Sequence, residues 1–364
     1  MKRLPRVNMF YGSDEGHYSQ IYTGLHRLHR LGIIELKQQP RQRCPLSAHA
    51  RPVGPPMLVS IEEKLAAYDV VDGRGLCDAS LNGVDAYFKR GYDRHLVDAL
   101  PAAQRDKVRP LGLNYRVLDD GIDGFALARA IRTGGMKGIL GVARSLGMRQ
   151  RFVPRVSTLE QPPIFGGEPR VLFLTRLWNT ANAREFAGMR RHSEVDAMRI
   201  ACIKALKAEL GSAFVGGIAP GPVAARQCDP DLLADPRLVT KRAYMALMKS
   251  TPICITTTGL FDSNGWKLGE YVAHSKAILC EPLVHDVPGD FSAGENYLEF
   301  TSADECVEQA VLLMTDSRRR ERMMLRNFHY YQNFLKPEWL VFNTLAQVIA
   351  GEQAHAPRSA VAAA

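Results

Sequence analysis

The sequence predicts an α/β protein of two domains, each built around a parallel sheet, and three observations support this fold class. Short apolar runs alternate with helical patterns along most of the 364 residues, which is typical of parallel sheets covered by helices. The chain is long for one domain and comfortable for two. A segment rich in proline and glycine, Val156 to Pro169, resembles an interdomain linker. We therefore expect a first domain at residues 1–160, a second at 168–335 and a C-terminal helix at 336–352.

The first half begins as a strand, a helix and a strand. The run "RVNMFYG" predicts the first strand, and Ile21, Leu25 and Leu28 share one face of a helix that ends at Gly32. "IIELK" predicts the second strand, and the segment Gln38 to Pro56, with five prolines, must be a loop.

Helical patterns dominate the rest of the first half. "SIEEKLAAYDVVDGRG" indicates a short helix followed by the strand "YDVVD", and "SLNGVDAYFKRGYDRHLVDAL" a largely helical stretch with a glycine break. "VRPLGLNYRV" predicts a strand that runs into a loop, and Gly124 to Phe152 a helix interrupted by two glycines. The second half is more regular. Strands are predicted in "RVLFLT", "AFVGGI", "PICITT", "KAILC" and "YLEF", with helices between them and a last helix in "EWLVFNTLAQVIAG".

Composition favours a soluble cytoplasmic protein. Hydrophobic residues make up 46% and charged residues 23%, as in ordinary globular domains. No run of about 18 apolar residues predicts a membrane-spanning helix, and no apolar stretch follows the basic N-terminus as in a secretory signal. The seven cysteines form no C-x-x-C pair, so we expect reduced thiols.

The positive charge lies in one half of the chain. Residues 1–165 hold 25 Lys and Arg against 16 Asp and Glu, whereas residues 166–364 hold 22 of each. The first half therefore carries the whole net charge of +9. Such a field favours an anionic partner, such as acidic lipid headgroups, a lipid-linked phosphate or nucleic acid. A solvated surface of high pI explains the charge equally well.

The segment Thr256 to Leu283 is the most informative motif. An apolar run ends in a glycine-containing loop, the loop opens a short helix, and a second apolar run follows, which together predict one βαβ unit. A helix N-terminus presents free N–H groups and a positive dipole end, so it suits a diphosphate. Glu270 lies about one turn inside the helix, where its carboxylate can accept hydrogen bonds from a pair of sugar hydroxyls.

The four residues that open this helix are candidate nucleotide-binding residues with Glu270. They are Asn264, Gly265, Trp266 and Lys267. The glycine lets the backbone approach a diphosphate, and the lysine supplies a point charge. The alternative is an ordinary turn from strand to helix with a lysine at the surface.

The helix and strand "EYVAHSKAIL" resemble the donor-binding element of GT-B glycosyltransferases, particularly bacterial family 1/4-like enzymes of the surface-polysaccharide type. The resemblance extends through Pro288 to Met314 and back to "RVLFLTRLWN" at Arg170 to Asn179. It implies a GT-B fold, in which two Rossmann-like domains face a central cleft, and a nucleotide-sugar donor as substrate without a separate cofactor. It also implies that Glu270 holds the nucleotide ribose and that the final helix crosses back to the first domain.

The resemblance adds basic residues to the donor site. In GT-B enzymes a basic residue after the first strand of this domain faces the donor phosphates, and Arg176 has that position here. Arg184 stands near the place where those enzymes often have a lysine. An interdomain salt bridge is the alternative role for Arg176. Lys241 is a weaker candidate, because a lysine at a solvated helix face needs no ligand.

Candidate catalytic residues lie in the first half. "YGSDEGHYSQ" follows the first strand, where GT-B folds place a loop facing the cleft, and either Asp14 or His17 can serve there as a general base. Helix capping is the alternative. Asp72, at the end of another strand, competes for the same role. Lys89 and Arg90 are candidates for steering an anionic acceptor, although amphipathic packing explains most of their segment.

No metal site is expected, because Asp229 and Asp231 fit a proline turn and no histidines have metal-ligand spacing. The predicted function is metal-independent transfer of a sugar from a nucleotide-activated donor to a glycan or lipid-linked acceptor. The alternatives are a sugar-nucleotide epimerase and a non-catalytic anion-binding protein at a membrane surface. We expect a cytoplasmic protein that attaches peripherally to the anionic inner face of the cytoplasmic membrane, and no nucleic acid partner.

Overall fold

The computed structural model describes residues 3–11, 16–40, 43–44, 46, 56–120, 153–178, 190 and 192–351. These residues form two sheets, one in each half of the chain. The strands of the first sheet are β1 (Arg6–Tyr11), β2 (Glu35–Pro40), β3 (Met57–Ile61), β4 (Lys64–Asp69), β5 (Ala86–Lys89) and β6 (Val108–Pro110). The strands of the second are β7 (Val171–Thr175), β8 (Phe214–Ile218), β9 (Ile253–Thr256), β10 (Ala277–Cys280) and β11 (Leu298–Glu299). The predicted α/β class is confirmed.

Helices connect the strands of both sheets. In the first half they are α1 (Ser19–Arg30), α2 (Asp78–Gly83), α3 (Arg94–Asp98), α4 (Ala102–Arg105) and α5 (Val156–Leu159). In the second half they are α6 (His192–Leu210), α7 (Ala224–Gln227), α8 (Lys241–Ser250), α9 (Trp266–Ala273), α10 (Ala303–Thr315), α11 (Ser317–Tyr330) and α12 (Pro337–Ala350). A π-helical turn, Tyr331–Leu335, joins the last two.

The first sheet has the order β2-β1-β3-β4-β5-β6 and is mixed. Strand β3 runs antiparallel to both neighbours, so the prediction of a parallel sheet is wrong at this place. The predicted helix in "SIEEKLAAYD" is also wrong, because Glu62 and Glu63 form the turn of a β3–β4 hairpin, with Glu62 at a φ of 49°. A positive φ suits such two-residue turns, and the buried run Met57–Ile61 needs sheet neighbours on both sides.

A second difference lies in the segment that was expected to be largely helical. It divides into α2, β5 and α3. All four residues of Ala86–Lys89 are buried, because β5 lies between β4 and β6 within the sheet. A short strand buried on both faces lacks the alternation of polar and apolar residues that marks a strand in sequence.

The second sheet is parallel throughout and has the order β11-β10-β9-β7-β8. Each of its strands lies in a run that predicted one. If the five strands of this half are numbered 1 to 5 along the chain, their order across the sheet is 2-1-3-4-5, which is a doubly wound order. The direction in which successive strands are added to the sheet reverses between its first and third strands. Those strands are β7 and β9.

The final helix, α12, packs against the first sheet and α1. Its Thr344 Oγ1 lies 2.7 Å from the Tyr68 hydroxyl, and its Glu338 accepts two hydrogen bonds of 2.9 Å from Arg27. A methyl group on Gly24 would lie 2.2 Å from the carbonyl oxygen of Pro337. The glycine therefore permits the close approach of these two helices.

The chain passes between the two halves at two places that lie side by side. Glu160, at the first, accepts a hydrogen bond of 3.1 Å from Tyr331 and one of 3.0 Å from Lys336, both at the second. One hydrophobic core continues between the sheets through Tyr115 and Tyr271. In the part of the chain that the structure describes, no helix is long and apolar enough to cross a membrane; the predicted helix at Gly124 to Phe152 lies outside that part.

Candidate functional site

The candidate site lies where the second sheet reverses direction. Ligands of doubly wound sheets bind at the carboxyl ends of the strands, in the crevice at this reversal. Here the carboxyl ends of β7 and β9, at Thr175 and Thr256, come together beside the N-terminus of α9. The geometry of the sheet and the motif at Thr256 to Leu283 therefore indicate the same place.

The loop between β9 and α9 is held by a buried carboxylate. Glu281 accepts hydrogen bonds from the backbone N–H and the hydroxyl of Thr258, at 2.8 and 3.0 Å. Its other oxygen lies 3.1 Å from Arg190. Within the loop, Asp262 adopts a left-handed conformation with a φ of 52°. Contacts within the protein thus define the shape of this loop.

Glu270 lies in the crevice with its carboxylate paired. The side chain is 7% exposed, and Oε1 lies 2.6 Å from Nζ of Lys241. Lys241 opens α8, the helix before β9, and is 27% exposed. The sequence treated Lys241 as a weak candidate, whereas the structure places it directly on Glu270. Together they offer one acceptor group and one donor group to the hydroxyls of a ribose.

Lys267 points toward the end of β7, where its Nζ donates a hydrogen bond to the carbonyl oxygen of Leu174. Burial lowers the pKa of Lys267 to about 7, and the nearby positive charge of Arg199 acts in the same direction. A diphosphate at the end of β7 would favour the protonated form. The charge of Lys267 would therefore respond to an anion bound at the end of β7.

Arg199 is a site residue that sequence reasoning missed. It projects from α6, donates a hydrogen bond of 3.0 Å to the hydroxyl of Thr257, and donates another of 2.8 Å to the carbonyl oxygen of Arg176. Burial lowers its pKa, and Asp196 opposes that effect. Arg199 thus bridges the ends of β7 and β9. Nothing in its helical spacing marks it, because its position depends on how α6 packs.

The remaining residues of the predicted donor site lie around these. The side chain of Arg176 is exposed after β7, and Arg184 lies outside the described residues. Among the described residues, a methyl group on Gly265 would meet the carbonyl oxygen of Thr257 at 3.8 Å and no other atom within 4 Å, so the space beside this glycine is not filled by them. Asn264 is buried and donates a hydrogen bond of 3.2 Å to the carbonyl oxygen of His285, so its side chain holds the loop.

Two candidate residues of the first half face this site. His17 lies before α1, and its ring is 5.1 Å from the ring of Trp266 in an edge-on arrangement. Asp72 lies after β4, and its Oδ1 is 2.5 Å from a guanidinium nitrogen of Arg90. Arg90 also donates a hydrogen bond of 2.7 Å to the carbonyl oxygen of Asn264. Asp14 lies outside the described residues.

Lys89 and Arg90, the candidates for steering an anionic acceptor, are both buried. Lys89 is fully buried, with its Nζ 3.2 Å from Asp69, and Asp69 also accepts a hydrogen bond of 2.5 Å from Tyr87. Arg90 is 4% exposed. These side chains support the loop after β4 and join it to the loop before α9, so they do not meet an approaching acceptor from solvent.

The described residues contain no group of three or more His, Cys, Asp or Glu side chains that could hold a metal ion. Asp229 and Asp231 lie at a 3₁₀ turn, Pro230–Leu232. The basic side chains that the predicted donor site brings to the crevice are those of Arg176, Arg199, Lys241 and Lys267, and Glu270 supplies a carboxylate.

No family model matches the sequence, and no curated protein matches it. Solved structures do. The C-terminal domain of a group 1 family glycosyl transferase from Francisella tularensis is 12% identical with a TM-score of 0.33, over 49% of this chain and 95% of that domain. A UDP-GlcNAc 2-epimerase from Neisseria meningitidis, bound to UDP-GlcNAc, is 15% identical with a TM-score of 0.35, over 76% of this chain and 64% of that one.

A TarM variant from S. aureus, in complex with UDP and glycan ligands, is 7% identical with a TM-score of 0.36, over 74% of this chain and 45% of that one. This chain thus spans less than two thirds of the length of the epimerase and of TarM. The neighbours are GT-B glycosyltransferases and UDP-GlcNAc 2-epimerases, the structural class that the sequence resembles. Similarity at this level assigns no activity to this chain.

Proposed function

We propose that the protein is a glycosyltransferase that moves a sugar from a nucleotide-activated donor to a glycan or lipid-linked acceptor. The observation that carries the proposal is the convergence of Lys267, Arg199 and the paired Glu270 at the reversal point of the second sheet. Arg199 is a fixed cation, and Lys267 is a lysine whose protonated form a diphosphate would favour. Both lie beside a carboxylate suited to hydroxyls, which matches the diphosphate and the ribose of a sugar nucleotide.

The leaving diphosphate would be stabilised by groups that are already in position. Arg199 is fixed between Thr257 and the carbonyl oxygen of Arg176, and α9 begins at Trp266, directly after the loop that follows β9. Positive groups aimed at the charge that develops in the transition state are usually the largest catalytic effect. In this proposal the protein's own cations, and not a metal ion, balance the leaving group.

Among the candidate bases, the geometry favours His17. It is exposed at the edge of the crevice, beside Trp266, whereas Asp72 is engaged by the buried Arg90. This ion pair occupies Oδ1 of Asp72, whereas a general base must reach the hydroxyl of the acceptor. Replacing His17 with alanine should lower kcat about 10²–10⁴-fold, the usual range for general base catalysis, with little change in donor affinity. An unchanged kcat would exclude His17 as the base.

The proposal is tested by a thermal-shift panel of nucleoside diphosphates and their sugar derivatives, because a ligand that binds only the folded state raises Tm by mass action. A transferase shows a saturable shift and then transfers sugar only when an acceptor is present. Conversion of the donor sugar without any acceptor would identify an epimerase. No shift with any nucleotide, together with binding to acidic vesicles, would identify a non-catalytic anion-binding protein.

We also propose that the basic first half attaches the protein to an anionic membrane surface. The proposal rests on the excess of +9 in residues 1–165, since each basic residue near an acidic leaflet contributes about 1 kcal/mol. Co-sedimentation should occur with vesicles of acidic lipid at low salt, weaken as salt is raised, and be absent with neutral lipid. Equal recovery in the supernatant with both lipids would refute attachment.

A further inference from the structure

Trp266, the first residue of α9, is contacted from the opposite side of the crevice by two side chains of the first half. The guanidinium carbon of Arg116 lies 5.5 Å from the centroid of the indole ring. The ring of His17 lies 5.1 Å from the indole, with an interplanar angle of 85°. Arg116 follows β6, and His17 lies between β1 and α1. The two sheets therefore meet at an aromatic ring flanked by an arginine and a histidine.

The charge of Arg116 is not balanced by a carboxylate among the described residues. Its Nε is buried and makes no hydrogen bond there. Two arginines nearby, Arg74 and Arg90, also have an Nε without a hydrogen bond, but each forms an ion pair, Arg74 with Asp93 and Asp262 and Arg90 with Asp72. A buried polar group without a partner costs free energy, and an anionic ligand would remove that cost.

The chemistry of this corner matches a sugar that carries an anionic group. The indole of Trp266 offers a flat, partly exposed surface to a sugar ring. The cation–π contact keeps the guanidinium group of Arg116 next to this indole. The planar fork of an arginine matches carboxylate and phosphate oxygens. Trp266 and Glu270 are four residues apart on α9 and so lie near one face of the helix. A ligand on Trp266 would therefore adjoin a donor held by Glu270.

We propose that Arg116, His17 and Trp266 form the acceptor subsite, and that the acceptor is a sugar bearing a carboxylate or a phosphate. This inference rests on the proposed transferase function, since it assigns to the acceptor the side of the crevice opposite the nucleotide. It also moves the recognition of an anionic acceptor from Lys89 and Arg90, which are buried, to Arg116.

The test uses the fluorescence of Trp266 in a Trp178→Phe/Trp339→Phe background, since the chain has three tryptophans. The probes are glucose, glucuronic acid, glucose 6-phosphate and inorganic phosphate. Glucuronic acid, glucose 6-phosphate or both should change the fluorescence of Trp266 in a saturable way. The sugar that does so shows whether the site binds a carboxylate or a phosphate. Glucose and inorganic phosphate alone should bind at least tenfold more weakly. If inorganic phosphate bound as tightly as the charged sugars, the site would not recognise a sugar. If glucose bound as tightly as the charged sugars, the site would not recognise an anionic group.

Variants of Arg116 complete the test. Arg116→Gln should weaken the charged probe at least tenfold, and Arg116→Lys should restore part of the affinity because it keeps the charge without the fork. The matched control is Arg105→Gln, which removes an exposed arginine paired with Asp106 in the same half and should change nothing. Unchanged probe affinity in Arg116→Gln would overturn the subsite.

Calorimetry with the nucleoside diphosphate that the thermal-shift panel selects separates this inference from the proposed function. If Arg116→Gln weakens nucleotide binding as strongly as probe binding, Arg116 contacts the donor and the acceptor assignment is wrong. If the wild-type protein binds no nucleotide but binds the anionic sugar, the proposed function fails and with it the acceptor role, while Arg116, His17 and Trp266 remain a site for an anionic sugar.

Discussion

Replacing the two members of the Lys241–Glu270 pair should destabilise the protein unequally. The Glu270 side chain is 7% exposed and that of Lys241 is 27% exposed. In Lys241→Met the carboxylate of Glu270 stays buried without its partner, which typically costs about 1–3 kcal/mol or more for a charged group. In Glu270→Gln the ammonium group can turn toward solvent and the amide can still accept its hydrogen bond, so we expect a loss of about 1 kcal/mol or less.

Nucleotide affinity should show the opposite order. Glu270→Gln removes the charged acceptor for the ribose hydroxyls, and a hydrogen bond to a charged group is worth about 1.5–3 kcal/mol. This corresponds to a roughly 10- to 150-fold higher Kd, with transfer abolished in the assay. Lys241→Met leaves the carboxylate in place, so its effect on Kd should be smaller.

Urea unfolding measures the stability of each variant, and calorimetry with the selected nucleotide measures Kd. Glu308→Gln, an exposed glutamate on α10, is the matched control and should change neither quantity. The reasoning is refuted if Glu270→Gln destabilises more than Lys241→Met. If Glu270→Gln binds the nucleotide with the same Kd as the wild type, Glu270 does not belong to the nucleotide site.

Three further predictions follow from buried groups. The pKa of Lys267 falls to about 7 on folding, so between about pH 7 and pH 10 the unfolded chain binds more protons at this lysine than the folded chain does. The free energy of unfolding of the wild type, relative to that of Lys267→Met, should therefore rise over this pH range. A pH-independent difference between the two proteins in urea unfolding would contradict this. Asp69→Ala should cost about 3–5 kcal/mol, because it leaves Lys89 charged and fully buried, and a loss below 1 kcal/mol would mean that Lys89 finds another partner. Gly24→Ala should lower Tm, since overpacking of a core contact costs about 1–3 kcal/mol and the new methyl group would lie 2.2 Å from Pro337.

The sequence predicted the second half better than the first for a physical reason. Strands β7, β9 and β10 are largely apolar runs buried along their whole length within a parallel sheet, and such runs stand out between helices. The hairpin at Glu62 was mistaken for a helix because its two glutamates look like the acidic first turn of one. Strand β5 was missed because Ala86–Lys89 is short and is buried on both faces.

Residues of the candidate site divide in the same way. Glu270 and Lys267 could be found because a local motif places them, on a helix directly after a strand and a glycine loop. Arg199 and Arg116 could not, since their positions depend on which helix packs beside β7 and on how the two halves meet. Asn264 has the right sequence position, yet its amide turns toward His285 and supports the loop.

The return of α12 to the first sheet has a consequence for protein engineering. The apolar face of this helix, including Leu340, Val341 and Leu345, is buried in the core of the first half. A chimera that exchanges only residues 1–160 between two such proteins would put a foreign surface against this helix. Residues 1–160 and 337–350 should therefore be exchanged together as one unit. The two boundaries of this unit lie side by side, because Glu160 and Lys336 form an ion pair.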